Sequence, residues 1–337
     1  MSATLLEGDE PRLQVQRRLF SSADEMSRAM HGLTIEINVL RDGFFPYGLL
    51  SAHLGECMLD IGEVGASITA AGTVSQNSMR VMVPMQHTAA WYVNGLPCKP
   101  GQVAIFRPGA ETFAFTGGPV RWAALQIPEP LWQRLADEFG AGAAAQRAGD
   151  MQMVEPAPAT WRHLHQALRG AIALLRDYPR LAEMPQIRRT LRLSLVQAFA
   201  GVALRCERGA SASVPGFLRA RVVKAAEDYL RGHPDMLLLH VSDLCEAAAV
   251  SERTLRNAFN EAYGMGPMRY LRIRRLNQVR RLLLNPRPVI ASVTEAAMRF
   301  EFFDLGRFAR DYRGLFGEKP SETWVRLRGT RVLAAAL

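Results

Sequence analysis

The sequence predicts an α+β protein of two domains: a β-rich, N-terminal barrel or sandwich with helices packed on it, and an all-α C-terminal domain. Three observations lead there. The 337 residues exceed the ~100–200 usual for one domain. The apolar period changes from strand-like to helical at about residue 129. Charge is also divided unevenly, with 20 Lys+Arg against 19 Asp+Glu over 1–214 but 20 against 13 over 215–330. A composition of 48% hydrophobic and 22% charged residues belongs to a chain that buries a core rather than to a disordered one.

The first domain is expected over 1–205, with strands over about 33–128. LTIEINVL puts Leu33, Ile35, Ile37 and Val39 on one side, and RVMVPM and QVAIF are short apolar runs between turn residues. WYVNGLPCKPG contains Asn94-Gly95, which tolerates the positive φ of a tight hairpin, and Gly117-Gly118 repeats the idea. Helices follow over about 129–205, where Leu131, Leu135 and Phe139, and then Ile187, Leu191, Leu195 and Phe199, recur four apart. Such stripes suit packing on the barrel or on a second copy of the chain. ERGASASVPG reads as a linker at 206–216.

The N-terminal part carries no legible ligand motif. His53 and His87 stand alone among the strands, so no metal site and no cofactor is expected. Trp91, Tyr92, Phe106, Phe113 and Trp122 suit either a core or a pocket, and Arg176/Arg180 and Arg188/Arg192 suit either a solvated helix face or an anion grip. Cys57, Cys98, Cys206 and Cys245 are single, which suggests neither a disulfide framework nor zinc. No uncharged apolar run of about 18 residues occurs, and the first residues lack the basic-then-apolar order of a secretory leader. A cytoplasmic location without membrane contact is the expectation.

The last third carries the basic surplus, as a polyanion partner requires. In VSDLCEAAAVSERTLRNAFNEAYG, Ser242 is placed to cap one short helix and Ser251 a second, about three residues apart, which is helix-turn-helix spacing. Leu255, Ala258, Phe259 and Ala262 form the buried face of the second helix, leaving Arg253, Arg256, Asn257 and Asn260 opposite, side chains able to bridge guanine or adenine edges. In VTEAAMRFEFFDLGRFARDYRGLFGEKPSE, Ser292 or Thr294 caps the first helix and Asp304 the second. Phe308 and Tyr312 then point inward, with Gly306, Arg307, Arg310 and Arg313 outward or flanking. Between the units, PMRYLRIRRLNQVRRLLL starts a helix at Pro267 with Leu276, Val279 and Leu283 on one face. Arg274 and Arg281 lie off that stripe and, with Ser251, are expected to contact phosphates. A straight linking helix would hold the reading helices about one duplex turn, roughly 34 Å, apart.

Over about 217–328 the sequence resembles the AraC/XylS family of transcription regulators. The blocks SERTLRNAF, AYGMGPMRYLRIRRL and RFARDYRGLFGEKPSE carry the resemblance. It implies that helices 251–262 and 304–313 read successive major grooves of a promoter operator, and that a cupin-like domain ahead of them senses a small-molecule effector or forms a homodimer. The implied partners are double-stranded DNA, an effector, a second copy and, at a promoter, RNA polymerase. Two positions depart from the pattern: Ala249 and Glu301 stand where the family usually has Gly. If those positions need positive φ, each costs about 1 kcal/mol or somewhat more, and Glu301 sets a carboxylate near the expected phosphates unless it is paired. An enzyme is the rival reading, as a cupin-type catalyst fused to the helix-turn-helix domain, although no GxSxG, Walker loop, HExxH or GxGxxG is present. An adaptor that has lost DNA binding through its altered turns is another.

Overall fold

The computed structural model describes residues 15–41, 47–87, 89–140, 150–205, 215–233, 239–285 and 290–326. Most of the expected linker at 206–216, and Cys206, lie outside the described residues.

Two antiparallel sheets face each other in the N-terminal part. The larger contains β1 (Val15–Phe20), β3 (Tyr47–Leu54), β4 (Cys57–Val64), β11 (Val120–Pro128), β6 (Ser78–His87), β9 (Val103–Phe106) and β12 (Met151–Val154), in that spatial order. The smaller runs β2 (Leu33–Arg41), β5 (Ser67–Val74), β10 (Glu111–Thr116), β7 (Trp91–Val93) and β8 (Leu96–Pro97). Strand structure thus begins earlier and ends later than expected, because β1 and β12 are edge strands held by neighbours distant in sequence. The Asn94-Gly95 hairpin forms, with φ of 47° and 78° and β7 paired to β8. Gly117-Gly118 does not close a hairpin: β10 pairs within one sheet and β11 within the other, so this turn carries the chain between layers.

Helix α1 (Ala23–Ala29) closes one end of the sandwich, capped by Ser22, whose Oγ accepts from the Glu25 amide at 3.2 Å. Helices α2 (Glu129–Glu138), α3 (Pro158–Asp177), α4 (Pro179–Ala182) and α5 (Pro185–Arg205) follow. The stripe residues Leu131, Leu135, Leu191, Leu195 and Phe199 are buried with Leu59, Val81 and Leu125 against the outer face of the larger sheet. Most of the stripe residues thus pack within the chain, while Phe139 and Ile187 are half-buried. Cys57, Cys98 and Cys245 are free thiols; burial pushes the first two up to about 12, which leaves them unreactive as nucleophiles.

The C-terminal part is helical: α6 (Pro215–Gly232), α7 (Val241–Ala247), α8 (Glu252–Tyr263), α9 (Pro267–Leu284), α10 (Val293–Arg299), α11 (Leu305–Phe316) and a last helical stretch over 320–326. The apolar cluster between the two sheets is continuous with the core of these helices. Among the described residues no helix is long and apolar enough to cross a membrane.

Candidate nucleic-acid interface

Each reading unit is built from local capping chemistry. Helix α7 starts two residues earlier than a Ser242 cap would place it. His240 is its N-cap, and the Asp243 carboxylate accepts from the His240 amide at 2.6 Å. Ser251 caps α8, its Oγ accepting from the Thr254 amide at 3.3 Å. Ser292 caps α10, accepting from the Glu295 amide at 3.1 Å, and Asp304 caps α11, accepting from the Arg307 amide at 2.9 Å. Gly264 and Gly317 end the two reading helices with φ of 65° and 72°.

The two turns are copies of each other. In the first, the Ala249 amide donates to the Glu246 carbonyl and the Val250 amide to that of Cys245, each at 3.0 Å. In the second, Glu301 donates to Met298 and Phe302 to Ala297, each at 3.0 Å. These three-back and five-back bonds are the pair that ends a helix on a left-handed residue. Ala249 and Glu301 occupy that position with φ of 51° and 64°, so both turns keep the required geometry at the strain cost of a side chain. The Glu301 carboxylate is paired with Arg275 at 2.7 Å, which answers the objection that it would repel phosphates.

On α8, Leu255, Ala258, Phe259 and Tyr263 are buried while Arg253, Arg256, Asn257 and Asn260 are exposed. Arg256 is held one turn along by Glu252 at 2.6 Å. On α11, Phe308, Tyr312 and Leu315 are buried, and Gly306, Arg307, Arg310 and Arg313 are exposed. Arg253, Arg307, Arg310 and Arg313 have no carboxylate partner among the described residues.

Helix α9 departs from expectation. Its predicted stripe of Leu276, Val279 and Leu283 is buried, but so are Ile273, Arg274, Asn277 and Arg280 on other sides. Strand β2 of the N-terminal part covers the second face. Asn277 acts there like a piece of neighbouring strand: its Nδ2 donates to the Val39 carbonyl and its Oδ1 accepts from the Val39 amide, both at 2.9 Å. Arg281 donates to Glu36 Oε1 and Asn38 Oδ1, both at 2.7 Å, and to the Ile37 carbonyl at 3.3 Å. Arg274 is 5% exposed and meets Glu227 of α6 at 2.7 Å. The expectation that Arg274 and Arg281 reach phosphates is therefore corrected: both guanidiniums are turned into the protein, where carboxylates hold them. Nothing local in the sequence reveals this, because Glu36 is 245 residues from Arg281. Ser251 is exposed at the start of α8, with its hydroxyl engaged in the cap.

Of the other four arginines of α9, three are engaged as well, while Arg269 is exposed and has no carboxylate partner among the described residues. Arg272 pairs with Asp311 at 2.7 Å, and Arg280 with Glu318 at 2.8 Å while lying over the Phe316 ring at 4.6 Å. In the N-terminal part, Arg176 pairs with its neighbour Asp177 at 2.7 Å, and Arg192 is buried. Trp91, Phe106 and Trp122 line a cavity between the sheets, whereas Tyr92 and Phe113 border α8 near Tyr263.

Comparison with known proteins places this geometry. Residues 244–325 match a family model described as a helix-turn-helix domain. The chain is 45% identical over 85 residues to XylDLEGF operon transcriptional activator 2 of Pseudomonas putida, covering 25% of this chain and 54% of that protein. It is 39% identical over 103 residues to the XylDLEGF operon transcriptional activator of the same organism, covering 31% and 30%. A probable thc operon regulatory protein of Rhodococcus erythropolis is 40% identical over 101 residues, covering 30% of each chain. The matches thus span about half or less of these relatives' length. Among solved structures, the AraC-like transcriptional activator CuxR is similar at 18% identity and a TM-score of 0.38, covering 79% of this chain and 94% of that one. The DNA-binding domain of AdpA in complex with a target DNA is similar at 27% identity and a TM-score of 0.27, covering 34% and 95%.

Proposed function

The C-terminal region is an AraC/XylS-type helix-turn-helix domain, and on that premise we propose that the protein is a sequence-specific DNA-binding transcription regulator rather than an enzyme. One observation carries the reading. In two units with the same capped helices and the same left-handed turn, the second helix presents polar and guanidinium groups to solvent, while five of the six arginines of the helix between them are paired with carboxylates of the protein. Arg253, Arg256, Asn257 and Asn260 of α8 read one major groove, and Gly306, Arg307, Arg310 and Arg313 of α11 the next; Gly306 lets the backbone approach the bases closely. Ser251 and the amides at the start of α8 face a phosphate.

The N-terminal part, about 1–205, acts as the sensing domain in the cytoplasm. It binds a small molecule, forms a homodimer, or does both, and the region from 217 onwards engages promoter DNA and RNA polymerase. Footprinting of the full chain on the promoter beside its own gene tests the proposal. Two protected patches about one helical turn apart are expected. A folded protein that protects nothing and shifts no duplex at low salt overturns it and favours the adaptor reading.

A further inference from the structure

The cavity between the two sheets has a volume of about 90 Å³. Met26 of α1 and Met30 just beyond it, Ile35 and Ile37 of β2, and Trp122 of β11 contribute to an apolar wall, and Arg80 is its charged member. A buried guanidinium is costly unless its donors are met. Arg80 is 4% exposed, and its Nη1 donates to the His31 carbonyl at 3.1 Å. Asp60 stands 3.8 Å away, beyond hydrogen-bond reach, and does not line the cavity. Its Oδ1 is taken by the Ser51 hydroxyl at 2.7 Å. The guanidinium lies over the Trp122 ring, 5.6 Å from its centroid, and its other donors meet no acceptor among the described residues. The cavity therefore combines an apolar volume with a cationic fork whose pairing is incomplete.

We propose that this cavity binds a small carboxylate, its apolar body between the methionines and its head bidentate on Arg80; the inference rests on the reading of the N-terminal part as the sensing domain. A planar guanidinium matches a carboxylate in geometry as well as charge. The volume is below the ~150 Å³ that accommodates benzene, so the body is a short chain or compact branch, with the flexible Met26 and Met30 free to adapt to it. The site is also placed to be felt by the DNA-binding region. Side chains alternate along a strand, so β2 turns Ile35 and Ile37 to the cavity and Glu36 and Asn38 to Arg281 of α9.

The test is calorimetric titration of the full chain with pentanoate and with pentanamide, which has the same body and a neutral head. Pentanoate is expected to bind about tenfold more tightly or better, and Arg80→Met is expected to remove that preference. Ala70→Leu, which fills the cavity from β5 without touching its charge, is expected to abolish pentanoate binding while leaving the circular dichroism spectrum unchanged. Equal affinity for acid and amide overturns the proposal. So does the absence of binding by every straight-chain acid of three to seven carbons at about 10 mM, a threshold weaker than 1 mM affinity. Because no DNA is present, a chain that binds pentanoate but no operator sinks the regulator reading alone, and one that binds operator but no acid sinks this inference alone.

Discussion

Arg281→Ala distinguishes a guanidinium that meets DNA from one that joins two parts of the protein. The side chain is 21% exposed and donates to Glu36, Asn38 and the Ile37 carbonyl. A hydrogen bond to a charged group contributes about 1.5–3 kcal/mol, and a neutral one about 1. Glu36 is 41% exposed, so water recovers much of its loss and the ion-pair part must be discounted. Asn38 is buried at 1%, and its Oδ1 would lose this partner without gaining water. The sum is a loss of about 2–3 kcal/mol of stability. Urea unfolding of the full chain reads this as a lower midpoint.

The same variant is then titrated with operator DNA at several salt concentrations. A phosphate contact would reduce the slope of log K against log salt by about one unit. The geometry instead predicts an unchanged slope beside the loss of stability. Glu36→Gln should produce part of the same loss, and the double variant should show a coupling of about 1 kcal/mol, as for residues in direct contact. A shallower slope with unchanged stability would refute the placement of Arg281 against β2.

Arg256→Ala should lose about 1–3 kcal/mol on the operator and much less on random duplex; an equal loss on both, in a binding titration, would mean that α8 does not read bases. Ala249→Gly should raise unfolding stability by about 0.5–1 kcal/mol, because the left-handed turn no longer holds a Cβ, whereas Glu301→Gly should gain less, since it also discards the ion pair to Arg275. The Asp60 carboxylate, 3.7 Å from His31 Nδ1, outweighs the opposing effect of partial burial and leaves the His31 imidazole above its ordinary range. A folded-state value above the unfolded one adds stability that is fully present below about pH 6.5 and is lost as pH rises through the higher value. Asp60→Asn should flatten that decline in urea midpoints measured across neutral pH.

What the sequence discloses is what short-range physics decides. The caps at Ser251 and Asp304, and the inward faces carrying Phe259 and Phe308, follow from spacings within one or two helical turns, so they are legible. The unusual turns are marked only by the family resemblance, through Ala249 and Glu301 standing where Gly is usual, and it is the structure that gives both a left-handed backbone. The strands of the sandwich are visible in their alternation, but edge strands β1 and β12 are not, since their pairing partners lie far along the chain. Helix α9 shows the limit most clearly. Its apolar stripe predicts one buried face and leaves Arg274 and Arg281 off it for phosphates, yet Glu227 and Glu36 hold them inside the protein, and Val39 engages Asn277 beside them. The cavity is illegible for a similar reason: Arg80 reads as an ordinary strand residue until α1 and β2 close over it.

The basic surplus that first pointed to DNA consequently has two populations. Arg272, Arg274, Arg275, Arg280 and Arg281 of the linking helix are neutralised by carboxylates of the protein itself, so they release few counterions on binding. The electrostatic footprint falls to Arg253, Arg256, Arg307, Arg310 and Arg313, joined by the exposed Arg269, Arg299 and Lys319, and Arg256 must first give up Glu252. Each phosphate neutralised contributes about 0.9 to the salt slope, and side chains committed to base edges contribute less than those on the backbone. The slope of one chain should then lie well below what the net charge suggests. Arginines that anchor α9 between the two reading helices act on affinity through geometry, by fixing the spacing at which both grooves are met.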